Sequence, residues 1–100
     1  MAGLLEASRK LDLERWPGAI ARLYLGEIGP AEVLDAVNNA APQSQVVQRA
    51  EALFYIGQYY LMGADKKRAV NMFGRAVNTG QTNLIEYHGA RAELRRMGLL

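Results

Sequence analysis

Apolar residues recur at helical spacing through the second half of the chain. From about Gln45 to Met62, the positions Ala50, Leu53, Ile56, Gly57 and Tyr60 fall on one face of a 3.6-residue period, which predicts a helix stopped by Gly63. A second helix is predicted from about Lys66 to Asn78, with Asp65 as its N-cap, Ala69, Met72, Phe73, Ala76 and Val77 as its stripe, and Gly80 as its end. A third is expected from about Leu84 to Met97, on Tyr87, Ala90, Leu94 and Met97, with Gly98 at its C-terminus. Asn83 and Glu86 have the spacing of a capping box at its start.

The amino-terminal half is less regular. Pro17, Pro30 and Pro42 each precede an apolar-periodic run, where a fixed φ and a missing N–H are tolerated, so they mark helix starts. This predicts a helix after Pro17 to about Gly26, a short one from Pro30 to about Ala40, and a helical tail from Leu4 to about Leu13. Residues 41–44, APQS, read as a linker between the halves. No stretch alternates apolar and polar residues over strand length, so the expected class is all-α, with about five helices.

The two halves also resemble each other. Ile20, Ala21, Tyr24, Val33, Val37 and Ala40 precede Ile56, Gly57, Tyr60, Ala69, Phe73 and Ala76 by a constant offset of 36 residues. A period in the mid-thirties with two helices per unit is the mark of a helical solenoid, in which neither helix can bury its stripe alone. Small residues such as Gly57 and Ala76 suit the close approach of two helices, and Tyr60 and Phe73 fill the wedge between hairpins.

Residues 50–83 resemble a tetratricopeptide repeat, with Leu53, Ile56, Gly57, Tyr60, Ala69, Phe73 and Ala76 in the family's small and large positions. Ala64 stands where the family has the Gly of the inter-helix turn, and Gln81 where it often has Pro. The stretch 14–47 is a degenerate copy, with Val33 and Val37 replacing Ala and Phe, and 84–98 would be a capping helix; the whole of 1–100 is expected to form one such domain. WPGAIARLYLGEI, EALFYIGQYYLMG and IEYHGARAEL together also resemble the carboxy-terminal part of bacterial NlpI-like lipoproteins of the same repeat family. That resemblance implies an adaptor, sometimes dimeric, acting near the cell envelope.

Composition narrows the chemistry. With 12 basic and 10 acidic residues the formal charge is only +2, well short of the dense positive footprint that phosphate binding requires. Without cysteine there is no disulfide framework, thiol nucleophile or cysteine metal site, and either side of a bacterial inner membrane would suit the chain. No apolar run reaches the length of a membrane span, and MAGLLEASRK lacks the order of a signal peptide, so a soluble chain is expected.

His88 is the lone histidine and reads as a packed or surface residue; no metal or other cofactor is expected. Glu86 and Glu93 lie seven apart on one helix and read as a capping residue and a solvated partner of Arg96 or a nearby arginine, in preference to a catalytic pair. Lys66, Lys67 and Arg68 with Arg91, Arg95 and Arg96 could make a basic patch, but Asp65, Glu86 and Glu93 are interleaved. Gly57, Gly74 and Gly89 each cost a helix about 0.8–1 kcal/mol relative to Ala, and only Gly57 has an evident reason in close packing.

The expectation is therefore a non-enzymatic module that binds a protein or peptide. The resemblance implies a concave groove lined by the first helix of each unit, which puts Glu51, Phe54, Tyr55, Gln58 and Met62 forward as contact residues. The competing reading of Phe54 and Tyr55 is simple packing against a preceding helix. Homo-oligomer assembly is the alternative function, and a nucleic-acid-binding module ranks behind both.

Overall fold

The computed structural model describes residues 16–100, and within them the secondary structure is entirely helical. Five helices occur: α1 Gly18–Tyr24, α2 Pro30–Asn38, α3 Pro42–Met62, α4 Lys66–Asn78 and α5 Ile85–Arg96. The expected helix from Leu4 to Leu13 lies outside the described residues. Contacts divide the described residues into two compact units, with the boundary between Asn39 and Ala40.

In the first unit α1 and α2 pack on each other, with Leu23, Val33 and Val37 buried. Gly26, at φ +79°, closes α1: its N–H donates to the Leu23 carbonyl and the Glu27 N–H to the Arg22 carbonyl, a Schellman ending. Pro30 opens α2 as its sequence position implied, and the Glu32 carboxylate accepts from the Gly29 N–H at 3.1 Å.

The second unit packs α3, α4 and α5 against one another in all three pairings. Helix α3 begins at Pro42, so the residues expected as a linker form its first turn; Pro42 is the N-terminal proline, and the Gln45 side-chain amide donates to the Ala40 carbonyl at 2.9 Å. Of the stripe read from sequence, Ala50, Leu53, Ile56 and Gly57 are buried and Tyr60 is half-buried. Ala69, Phe73 and Ala76 of α4 and Tyr87, Ala90 and Leu94 of α5 complete the core, each large side chain contributing about 1.5–3 kcal/mol of burial.

Two glycines allow these helices to meet. A Cβ on Gly57 would lie 2.5 Å from Cε1 of Phe73, so the Phe73 ring rests directly on the α3 backbone. Gly89 of α5 gives the same kind of seat to Phe54, whose Cε1 would be 2.7 Å from a Cβ there. That supplies the reason for Gly89 that sequence reasoning lacked. A Cβ on Gly74 would meet nothing within 4 Å, and no close contact accounts for that glycine.

The α3–α4 turn departs from its expected form. Gly63 is the last half-helical residue at φ −84°, and the left-handed position falls on Ala64 at φ +61°. The Ala64 N–H donates to the Leu61 carbonyl at 3.0 Å and the Asp65 N–H to the Tyr60 carbonyl at 2.9 Å, which completes a Schellman motif without its usual glycine. Asp65 then caps α4 as expected, accepting from the Arg68 N–H at 3.1 Å.

The capping box proposed for Asn83 and Glu86 does not form. Helix α5 starts at Ile85, with Leu84 as an N-cap that makes no side-chain cap bond. Glu86 is instead turned inward, 8% exposed, where its carboxylate accepts from the Tyr55 hydroxyl at 3.2 Å. A buried carboxylate needs such a partner, and a long-range donor outcompetes the local cap.

Candidate functional site

Glu51, Tyr55, Gln58 and Met62 follow one another at steps of four, three and four, and so run as a single stripe along α3. The first three are half-buried, whereas Met62 is 71% exposed at the helix end. Phe54 lies beside this stripe but points elsewhere: its ring sits on Gly89, 6.0 Å from the Phe73 ring and 5.1 Å edge-on from Tyr55. Its aromatic surface is spent on joining α3 to α4 and α5. Phe54 is a packing residue, but its partners are the two following helices and not the preceding helix that the alternative named.

Tyr55 does two things at once. It reaches Glu86 through its hydroxyl and stays part of the α3 stripe. Burial pushes its phenol above the ordinary value of 10.0, and the negative charges of Glu86 and Glu51 push it further in the same direction. The phenol is thus held as a proton donor.

A feature not singled out in the sequence lies at the α3–α4 turn. A shallow depression of about 550 Å³ is lined by Tyr60, Asp65, Lys67, Arg68, Asn71 and Met72. A neighbouring one of about 450 Å³ is lined by Tyr59, Tyr60, Met62, Gly63 and Asp65. Tyr60 and Asp65 belong to both. Adjacent tyrosines followed by a capping Asp and an Arg three residues on were the signal available in the sequence; the Schellman turn that gathers them was not.

The turn is electrostatically organised. An Arg68 guanidinium N–H donates to the Asp65 carboxylate at 2.7 Å, and the guanidinium lies 5.9 Å from the Tyr60 ring centroid, in cation–π range. The Arg68 side-chain bond, followed by its backbone N–H, holds the Asp65 carboxyl below its ordinary value of 3.8. Tyr59 meets Tyr60 edge-on at 5.8 Å.

His88 and Glu93 serve local structure. The ring Nε2 of exposed His88 donates to the Thr82 carbonyl at 2.7 Å, and Glu93 pairs with Arg96, as expected for a solvated helix face. Among the described residues no group of three or more His, Cys, Asp or Glu side chains is gathered in a way that could hold a metal ion. No helix among them is long and apolar enough to cross a membrane. In comparisons with known proteins, no family model and no solved structure matches this chain.

Proposed function

We propose that this chain is a non-catalytic helical-hairpin module of the tetratricopeptide type that binds a peptide or protein along α3. The observation that carries the reading is the division of labour on that helix. Ala50, Leu53, Ile56, Gly57 and Phe54 are committed to packing, while Tyr55, Gln58 and Met62 form a continuous stripe with polar and apolar surface still accessible. Such a mixture suits one apolar anchor flanked by orienting hydrogen bonds. The 36-residue correspondence adds support at Val33 and Val37, as fully buried as Ala69 and Phe73, but not at Ile20, Ala21 and Ala40, which are half-buried where Ile56, Gly57 and Ala76 are buried.

Self-association is the second reading, favoured by the 80% exposure of Ile85 and the 71% exposure of Met62. Large apolar side chains so exposed suit an interface between copies. A photo-crosslinking amino acid at Gln58 or Met62, with Asp35 as an exposed control on α2, tests both readings in an extract of the source cells. Discrete adducts from the first two positions and none from Asp35 are expected, identified by mass spectrometry as another protein or as this chain. Equal labelling from all three positions, together with a monomer by light scattering, would remove both.

A further inference from the structure

The outer face of α4 carries more positive charge than the ion pairs of its own fold consume. The helix, KKRAVNMFGRAVN, has four cations and no anion. Of the acids in residues 40–100, Asp65 is held by Arg68, Glu86 is buried on Tyr55, Glu93 is held by Arg96, and Glu51 belongs to the α3 stripe. Lys67 and Arg75, both exposed, make no ion pair among the described residues. With Asn71 they fall at intervals of four along one line of the helix.

The hairpin architecture does not require this charge. At the 36-residue offset, Lys67 corresponds to Ala31, Arg68 to Glu32 and Asn71 to Asp35, and α2 has no cation at all. Lys67 and Asn71 also line the larger depression, beside Tyr60 and Met72. A cationic line therefore borders a hollow whose apolar walls are Tyr60 and Met72 and whose rim carries the Asp65–Arg68 pair, and Met side chains adapt to varied apolar partners.

We propose that the α3–α4 turn and the exposed face of α4 form a docking surface for an acidic peptide segment of another protein. Its carboxylates would meet Lys67 and Arg75, and one apolar side chain would enter the hollow between Tyr60 and Met72. Charge complementarity selects the acid, and the hollow selects a peptide over a nucleic acid. An apolar side chain can enter beside the Asp65 carboxylate that lines the hollow, whereas a nucleotide would bring its phosphate against that carboxylate. This surface adjoins the Tyr55–Gln58–Met62 stripe at Met62 but lies on another helix face, and it rests on the partner-binding reading only in that the ligand is a protein.

The test is panning of a phage-displayed random dodecapeptide library on the full chain, then fluorescence anisotropy of the synthesised winners. The expected winners combine several Asp or Glu residues with an aromatic or large aliphatic one. They should bind the K67E/R75E double variant about tenfold more weakly and lose affinity with added salt, while the variant unfolds at an unchanged midpoint. Winners without acidic excess, undiminished binding to K67E/R75E, or tighter binding of an oligothymidine than of the peptide would overturn the proposal. Neutral winners that fail to bind Gln58→Arg would overturn this surface and leave the α3 stripe standing. An empty selection with no crosslinked adduct at Gln58 would remove both.

Discussion

One methyl group added at Gly57 or at Gly74 should have opposite effects, although both sites are glycines inside helices. At Gly57 the new Cβ would start 2.5 Å from Cε1 and 2.7 Å from Cδ1 of Phe73, where ordinary contact begins at 3.4 Å. The ring must retreat by close to 1 Å, and Phe73 is 0% exposed, with nowhere to go. Overpacking of this kind costs about 1–3 kcal/mol, and the better helix propensity of Ala returns about 1 kcal/mol. At Gly74 the Cβ meets nothing within 4 Å, so only the propensity gain remains, about 1 kcal/mol of stabilisation. Gly57→Ala should therefore be less stable than Gly74→Ala by about 1–3 kcal/mol, the overpacking term itself. Urea unfolding followed by far-UV circular dichroism measures both against the parent chain, provided that the slopes agree. Two variants stabilised to the same extent would show that Phe73 does not rest on the α3 backbone, and the hairpin packing derived from it would fail.

Other outcomes follow from the same geometry. Ala64→Gly should stabilise the chain by about 1 kcal/mol, because Ala64 holds a left-handed φ of +61° that glycine adopts freely; an unchanged urea midpoint would refute that turn. Phe54→Ala should cost about 2–4 kcal/mol by emptying the seat on Gly89, a loss that a mere surface aromatic would not produce in thermal or urea unfolding. The Tyr55 phenol titrates higher in the folded chain than in the unfolded one, so its contribution is fully present below about pH 10 and disappears as the pH rises through the raised folded value. Tyr55→Phe should accordingly flatten the alkaline limb of the stability profile, and an identical limb in the variant would dismiss the Glu86 contact. Asp65 behaves in the opposite sense: its carboxyl is depressed, so its contribution is present above about pH 4 and is lost as pH falls through the lowered value. Asp65→Asn, which keeps a cap acceptor, should lessen the acid sensitivity seen in a pH titration of unfolding.

Helix α4 was legible in the sequence to both of its ends because its signals are local: a capping Asp65 and a stripe of Ala69, Phe73 and Ala76 within four turns. The all-α class, the Pro30 start and most of the buried stripes, Ala50, Leu53, Ile56 and Gly57 of α3 and Tyr87, Ala90 and Leu94 of α5, were readable for the same reason, since periodicity and proline act within a few residues. Tertiary structure decided what depends on residues far apart in the chain. Glu86 looked like a cap until Tyr55, 31 residues earlier, offered a buried donor. Gly89 had no reason until Phe54 packed on it, and that contact removed Phe54 from the exposed stripe while leaving Tyr55, Gln58 and Met62 on it. The hollow at the α3–α4 turn likewise exists only because the left-handed Ala64 brings Tyr60 back beside Arg68 and Met72. Local patterns settle which residues turn inward; which inward residues meet, and what surface remains outside, is settled only when the helices pack.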